Sequence, residues 1–149
     1  MLPEAELVMG ELVVRKLSLP DSMMSKRALV RWLALSLGLI SESESRQLVL
    51  SIFEAVLTLA FKQESFSSTE LIDIVKKESP DAQEKAIRYH ISQLKKKGIL
   101  FEKDRKYYLG DPTLGPTPEE RLKRMYQGEL EQSFASIAKA FQRARVLQR

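Results

Sequence analysis

Residues 84–110, EKAIRYHISQLKKKGILFEKDRKYYLG, decide which fold the sequence predicts. Apolar residues recur in the first half of this stretch at Ile87, Ile91 and Leu94, which is the spacing of one buried face of an α-helix. Three consecutive lysines and then Gly98 follow, and a glycine just past the last helical turn is typical of a left-handed helix end. The stretch therefore predicts an amphipathic helix that stops at Gly98.

The same stretch predicts a β-hairpin after the helix. We expect the helix to span 81–98, with Ser79 or Asp81 as its cap. The two runs after it, ILFEK and KYYL, favour β-structure and are separated only by Asp104-Arg105. Two such runs joined by a short polar turn are typical of a hairpin, here over 99–110.

A short helix is predicted directly upstream. Ser67 followed three residues later by Glu70 is a capping box, in which each side chain satisfies a backbone N–H of the other. The helix that starts there is not expected to run past Glu78, because Pro80 disfavours the helical conformation in the residue before it. A tight turn then joins it to the helix 81–98.

The first part of the chain predicts an arm and two helices. Within 1–41 we expect a short strand or arm near 11–17 and then a helix that turns Leu29 and Trp32 toward the core. The next helix is expected to run to about residue 62 with Phe61 facing the core. Its predicted start is a second capping box, formed by Ser41 and Glu44.

Positive charge is concentrated in the segment that carries the helix and the hairpin. The 149-residue chain has a net charge of +4, and residues 81–110 alone hold eight basic and four acidic side chains. Clustered lysine and arginine is what phosphate binding requires, because these side chains release condensed counterions from the polyanion. A solvated helix face, or the negative end of a helix dipole, also attracts such charge. Charge alone therefore leaves both interpretations open.

The chain lacks the common sequence motifs of enzymes and metal centres. It has no cysteine and a single histidine, His90, and its glycines do not form a phosphate-binding loop. No apolar run reaches the roughly 20 residues of a bilayer span, and the N-terminus has no basic leader of the secretory type. We expect a cytoplasmic, nucleoid-associated protein that is not an enzyme, uses no cofactor or metal, and does not enter a membrane.

The order helix, helix, helix, hairpin over 42–110 resembles the winged helix-turn-helix superfamily of DNA-binding proteins, in its prokaryotic transcription-regulator form. The segments FSSTELIDIVKKE, KAIRYHISQLKKKGIL and FEKDRKYYLG carry the resemblance. It implies a mainly α (α+β) fold with a two-stranded β-wing, flanked by an N-terminal helix and a long C-terminal helix. It also implies a regulator that inserts helix 81–98 into the major groove of double-stranded DNA and lays the wing 99–110 on the backbone.

Helical geometry assigns roles to the outer side of helix 81–98, because a helix in the groove uses its N-terminal half for base edges and its flanks for phosphates. The wing tip is expected on the backbone, and Asp104 argues against deep insertion. The predicted base contacts are Gln83, Lys85, Arg88 and Tyr89; the predicted phosphate contacts are Ser92, Lys95, Lys96 and Lys97; the predicted wing contacts are Lys103, Arg105 and Lys106.

The C-terminal part predicts a linker, 111–117, and a long amphipathic helix, 118–149. Its apolar stripe is narrow and continuous like a coiled-coil seam, which favours a homodimer with two half-sites on DNA. The alternative is that the stripe folds back on the N-terminal helices of its own chain. The residues predicted to form the dimer contact are Leu130, Phe134, Ile137 and Phe141.

A second function fits the same pattern. Winged helices also serve as protein-interaction modules in transcription, replication or chromatin complexes, where a basic face meets an acidic protein. RNA binding is less favoured, since Tyr89 is the single evident stacking residue. A steep loss of affinity with salt distinguishes DNA from a protein partner. A DNA-binding regulator is also expected to contact the transcription machinery.

Overall fold

The computed structural model describes residues 3–22, 25–42 and 47–148. These residues form five α-helices and one two-stranded antiparallel sheet, with short 3-10 turns at Glu4–Leu7 and Pro112–Leu114. The mainly helical class is confirmed. The elements are α1 (Lys26–Ser36), α2 (Gln47–Lys62), α3 (Ser68–Glu78), α4 (Glu84–Lys96), β1 (Leu100–Lys103), β2 (Lys106–Leu109) and α5 (Pro118–Leu147).

Helix α3 begins and ends where the sequence predicts. The Ser67 hydroxyl accepts a hydrogen bond from the Glu70 backbone N–H at 3.1 Å, and the Glu70 carboxylate accepts one from the Ser67 backbone N–H at 3.2 Å. This reciprocal pair is the predicted capping box. The helix ends at Glu78, two residues before Pro80. The second predicted box, Ser41 with Glu44, includes a residue outside the described ranges.

Helix α4 begins later than predicted. Its N-cap is Gln83, whose side chain makes no capping hydrogen bond, so the prediction of Ser79 or Asp81 as the cap is wrong. The reason is a turn between the helices, in which the Ala82 backbone N–H donates to the Ser79 carbonyl at 3.0 Å. This turn consumes the residues that would otherwise have started the helix. The end of α4 is as predicted, since Gly98 has a φ of 79°.

One hydrophobic core connects α1 to β2. The inner face of α4 enters it through Ile87, Ile91 and Leu94, as the spacing predicts. Helix α1 contributes Val30 and Ala34, so the N-terminal helix shares the core of the segment that follows it. The largest fully buried side chains are Phe53, Phe66, Ile52, Leu71, Ile87, Ile99, Leu100, Val56 and Val75.

Two apolar side chains predicted to face the core do not. Leu29 is 40% exposed, because α1 packs through the smaller Val30 and Ala34 on the neighbouring part of its surface. Phe61 is 72% exposed in the last turn of α2. Trp32 is half-buried and donates from its indole N–H to the Ser18 carbonyl at 2.9 Å.

The N-terminal arm is extended and forms no strand over 8–20. It crosses the C-terminal end of α1, where the Arg15 backbone N–H donates to the Ser36 carbonyl at 2.8 Å. The Arg15 guanidinium also donates to the Leu35 and Ile40 carbonyls, at 2.6 and 2.9 Å. A single arginine thus binds one carbonyl in the last turn of α1, that of Leu35, and one just beyond the helix, that of Ile40.

The predicted hairpin is present. Strands β1 and β2 pair with Leu100 opposite Leu109 and Lys103 opposite Lys106. Both turn residues between them, Asp104-Arg105, have positive φ, 54° and 65°, which is the geometry of a type I′ turn. Such a turn matches the right-handed twist of the strands, so the two strands hold a fixed register.

A residue far upstream joins this sheet. The Phe66 backbone N–H donates to the Tyr107 carbonyl at 3.1 Å, and the Tyr107 backbone N–H donates back to the Phe66 carbonyl at 2.7 Å. The two rings are 6.2 Å apart between centroids. The start of α3 is therefore tied to the second strand of the hairpin, and α4 lies between them in the chain.

Only the first turns of α5 touch the rest of the described structure. Arg121 is 5% exposed and donates to the carbonyls of Gly115 and Leu109 and to the Glu64 carboxylate, at 2.8, 3.4 and 2.9 Å. The Tyr126 hydroxyl donates to a carbonyl of the arm at 3.2 Å. Every residue from 127 to 148 is exposed. The stripe of α5 thus does not fold back on the described parts of the N-terminal helices.

Candidate nucleic-acid interface

Helix α4 and the hairpin form one continuous surface. The Lys95 ammonium lies 2.8 Å from the Glu102 carboxylate on β1, and the same ammonium lies 5.8 Å from the centroid of the Tyr107 ring on β2. These contacts hold the hairpin against the last turns of the helix, while the backbone bonds of Tyr107 tie it to Phe66 at the start of α3. Any ligand of α4 therefore meets the hairpin in a fixed position.

All eleven side chains that the sequence predicts to contact DNA are exposed. The structure brings them together along the outer side of α4, its two ends and the hairpin turn. We call this surface the basic face. It consists of Gln83, Lys85, Arg88, Tyr89, Ser92, Lys95, Lys96, Lys97, Lys103, Arg105 and Lys106.

Arg88 is paired within its own helix. Its guanidinium donates twice to one oxygen of Glu84, at 3.1 and 2.8 Å, and Lys76 of α3 lies 3.9 Å from the other oxygen. The hydrogen bond from Arg88, and then the charges of Arg88 and Lys76, hold the pKa of Glu84 below its ordinary value. Glu84 therefore stays ionised and offsets part of the positive charge at the N-terminal end of α4.

Lys95 is paired across the junction of helix and hairpin. Its hydrogen bond lowers the pKa of Glu102 and raises the pKa of Lys95 itself. Burial raises the pKa of the Tyr107 hydroxyl beside them. Both charges of the pair therefore persist through the neutral range, and the pair joins two elements as well as carrying charge.

The other cations of the basic face do not form ion pairs like those of Arg88 and Lys95 with the described carboxylates. Among the residues that the structure describes, six cations of the basic face have no carboxylate within ion-pair distance: Lys85, Lys96, Lys97, Lys103, Arg105 and Lys106. The pKa of Glu70 is lowered chiefly by its hydrogen bond with Gln63, and the charge of Lys106 adds the smallest contribution, without a direct pair. The unpaired cations thus lie at both ends of α4 and at the hairpin turn.

The side chains of Gln83 and Tyr89, at the N-terminal end of α4, are exposed and can contact a ligand. Gln83 occupies the N-cap without using its amide group as a cap. Tyr89 is 59% exposed and contacts the neighbouring His90 ring edge-on, with 5.4 Å between centroids. A glutamine amide and a tyrosine hydroxyl at this end provide the donors and acceptors that base-edge reading uses.

One edge of the basic face borders a cavity of about 330 Å³ between the arm, the end of α1 and α4. Tyr89 and Gln93 contribute to its lining from the helix, and Val13 and Gly38 from the opposite side. Lys97 also lines it, and its ammonium lies 3.4 Å from the Gly38 carbonyl. Lys97 therefore lies at the boundary between the basic face and this cavity.

The acidic partners inside the basic face were not included in the sequence prediction. The pair of Glu84 with Arg88 follows from their spacing of four residues on a helix, so the signal was present in the sequence. The pair of Glu102 with Lys95 depends on how the hairpin folds against α4, and no local spacing reveals it.

Within the described ranges, no cluster of three or more histidine, cysteine or carboxylate side chains has the arrangement of a metal site. None of the described helices is both long and apolar enough to cross a membrane. Comparisons of the chain with protein-family models, with curated proteins and with solved structures found no match. The argument for function therefore comes from the geometry of the basic face.

Proposed function

We propose that the protein is a DNA-binding transcriptional regulator of the winged helix-turn-helix type, in which the basic face binds double-stranded DNA. One observation carries the proposal: the outer side of α4 and the hairpin turn form a single exposed surface, on which six cations have no carboxylate partner among the described residues. Unpaired cations on a rigid convex surface suit a polyanion.

The order of elements supports the comparison with winged helices. Helices α2, α3 and α4 precede the hairpin, and a one-residue bridge from Phe66, between α2 and α3, pairs with Tyr107 of the hairpin. Helix α4 has 13 residues and is thus about 20 Å long, and the major groove is about 12 Å wide, enough to admit a helix. Its apolar side is occupied by the core, so the basic face is the side left for the groove.

The proposed mechanism divides the basic face into two parts. Gln83, Lys85, Arg88 and Tyr89 at the N-terminal half of α4 are assigned to base edges, and the lysines at its end are assigned to phosphates. In the absence of DNA, Arg88 is paired with Glu84. On binding, Arg88 either keeps this pair while one N–H reaches a base, or exchanges the carboxylate for a phosphate.

The hairpin turn is assigned to the DNA backbone. Arg105 stands at a position with φ of 65°, where glycine or asparagine is usually preferred over a long side chain. Residues that do not suit their backbone conformation occur often at functional sites. A cation held at the tip of the wing fits contact with a phosphate.

We also assign a second copy of the chain as partner, through α5. Leu130, Phe134, Ile137 and Phe141 are all exposed on one stripe of a helix that leaves the domain, and such a stripe is stabilised by pairing. Phe134→Asp with Ile137→Asp is expected to give a monomer by light scattering. An unchanged mass for this variant would remove α5 as the dimer contact.

One observation favours a second candidate, an interaction module for an acidic protein. Glu84, Glu102 and Asp104 lie within or beside the basic face, so its charge is mixed. Mixed charge suits a protein surface with complementary pairs, for which affinity falls gently with salt. Duplex DNA, in contrast, gives a steep and nearly linear loss of log affinity with log salt.

The experiment that tests the proposal is fluorescence-anisotropy binding to random-sequence duplex DNA, with salt as the variable. Lys85→Glu with Arg88→Glu reverses two charges on α4. Lys16→Glu with Lys123→Glu makes the same change in net charge at exposed positions on the arm and α5. The proposal expects salt-steep binding that the first variant loses and the control keeps. If the wild type does not bind at low salt, DNA binding is refuted and a pull-down of protein partners is the next step.

A further inference from the structure

We infer that the exposed part of α5 pairs with the same part of a second copy in antiparallel orientation, with Glu131 facing the partner's Arg145. This inference rests on the second copy assigned above and adds its direction and register. The observations behind it are the exposure of the α5 stripe, the distribution of charge along the helix and the place where α5 leaves its own domain.

The stripe has the spacing of a two-helix seam. Leu130, Phe134, Ile137, Phe141 and Ala144 follow one another by four, three, four and three residues. This alternation places them at the a and d positions of successive heptads. Phe134 is 57% exposed and Phe141 is 61% exposed, although both belong to an intact helix. A partner helix would remove these side chains from water.

The charges along α5 select the direction of the partner. The first exposed turns carry Glu129 and Glu131, the last turns carry Arg143 and Arg145, and Lys139 lies near the middle of the exposed part. In a parallel pair, acidic turns would lie beside acidic turns and basic turns beside basic turns, which is unfavourable. In an antiparallel pair each acidic end lies beside a basic end. Charge complementarity therefore favours the antiparallel arrangement.

The flanking charges also select the register. In one register Phe134 lies opposite the partner's Ala144, so that the large ring faces a small side chain, and Ile137 lies opposite the partner's Phe141. Glu131 and Arg145 both occupy e positions, where charges of paired helices meet, and this register brings them together twice. A shift by one heptad would instead bring Arg145 beside the partner's Arg124, which also occupies an e position.

The free length of α5 fits this register. The overlap extends from about residue 130 to residue 148, and the contacts of α5 with its own domain end at Tyr126. The partner helix therefore ends close to the point where α5 meets the domain. Alanines 138 and 140 lie beside the seam at its centre, and their small side chains allow the helices to approach closely.

The antiparallel pair has a consequence for the proposed function. The two buried Arg121 anchors would lie about 50 Å apart along the helix pair at 1.5 Å per residue, counted from a centre near residue 139. The two basic faces would then lie at opposite ends of the molecule. Half-sites one turn of DNA apart, about 34–36 Å, would not match this separation of the anchors without a bend in α5.

The test uses single cysteines, which is straightforward because the chain has none of its own. Ala138→Cys and Ala144→Cys are matched substitutions on α5, and each purified variant is treated with a short bis-maleimide cross-linker in the absence of DNA. In the antiparallel register, residue 138 lies beside its own copy at the centre of the pair. Residue 144 is then about 15 Å from its own copy along the axis, at 1.5 Å per residue.

We expect covalent dimer from Ala138→Cys and at least tenfold less from Ala144→Cys at the same protein concentration. The reverse ratio would overturn the inference in favour of a parallel pair. Equal, low yields from both variants that still scatter as dimers would overturn the register. A monomeric mass for both would overturn the second copy itself. Because no DNA is present, each of these outcomes is independent of whether the basic face binds DNA.

Discussion

The salt dependence of DNA binding can be worked out from the pairing of the basic face. Of the cations assigned to phosphates and to the wing, Lys96, Lys97, Lys103, Arg105 and Lys106 have no carboxylate partner among the described residues. If each contacts one phosphate, the slope of log affinity against log salt is about −4.5, at roughly 0.9 per phosphate. Affinity for random duplex then falls about 500-fold between 50 and 200 mM salt, as this slope implies.

Neutralising two of these cations changes the slope by a calculable amount. Lys96→Gln with Lys103→Gln removes two phosphate contacts and makes the slope less steep by about 1.8. The control is Lys16→Gln with Lys123→Gln, which changes net charge equally at exposed positions outside the basic face. Its slope is expected to match the wild type.

The assay is fluorescence anisotropy of a labelled random duplex at five or more salt concentrations for each of the three proteins. A slope that becomes less steep only in the first variant supports contact between these lysines and phosphates. Equal slopes in both variants would refute the assignment of the basic face as the surface that binds phosphate, because the effect would then depend on net charge alone.

Three further predictions concern single residues. Arg105→Gly relieves a left-handed backbone conformation, so we expect a gain of about 1 kcal/mol in the free energy of unfolding by urea titration together with weaker duplex binding; a loss of stability would contradict the strain. Glu84→Gln removes a negative charge and releases Arg88 from its ion pair, so binding to random duplex is expected to tighten severalfold in the anisotropy assay. Weaker binding would contradict this expectation and show that the ion pair orients Arg88 for contact. Gly98→Ala places a Cβ 3.0 Å from the Met125 methyl group, at a backbone φ of 79° that alanine rarely adopts. The free energy of unfolding is therefore expected to fall by about 1 to 2 kcal/mol. An unchanged midpoint of urea unfolding would refute this expected loss of stability.

Local sequence patterns were sufficient to predict the elements that depend only on residues close together in the chain. The apolar spacing of α4, the left-handed end at Gly98 and the capping box of Ser67 with Glu70 depend on residues within a few positions of one another. The hairpin turn at Asp104-Arg105 is of the same kind. These predictions are confirmed, because the backbone conformation at these positions depends mainly on neighbouring residues.

Features that depend on distant contacts were missed or left open. The bridge of Phe66 to Tyr107 joins residues 41 positions apart, and the anchor of Arg121 to Glu64 joins residues 57 positions apart. No periodicity reveals either contact. The cap of α4 was predicted wrongly at Ser79 or Asp81, because the turn before the helix, rather than the capping propensity of one residue, decides where the helix starts.

The choice between a dimer and a folded-back helix also depended on distant contacts. The stripe of α5 has the same sequence in both cases, so its spacing could not decide between them. In the structure, residues 127 to 148 are exposed, so the described parts of the N-terminal helices do not cover the apolar stripe of α5. The eleven residues of the basic face, in contrast, were placed on the surface by helical geometry and by the hairpin pattern, and their role in binding DNA stays a prediction.

The measurement that tests the central claim most directly is an NMR titration of the ¹⁵N-labelled protein with random-sequence duplex DNA. Backbone amide shifts are expected to change in two segments, 83–97 and 103–106, while the amides of α2 in the core remain nearly unchanged. Addition of salt should reverse the changes. Shifts that appear first on α5 or on the arm, with 83–97 unaffected, would contradict the claim that α4 and the wing bind DNA.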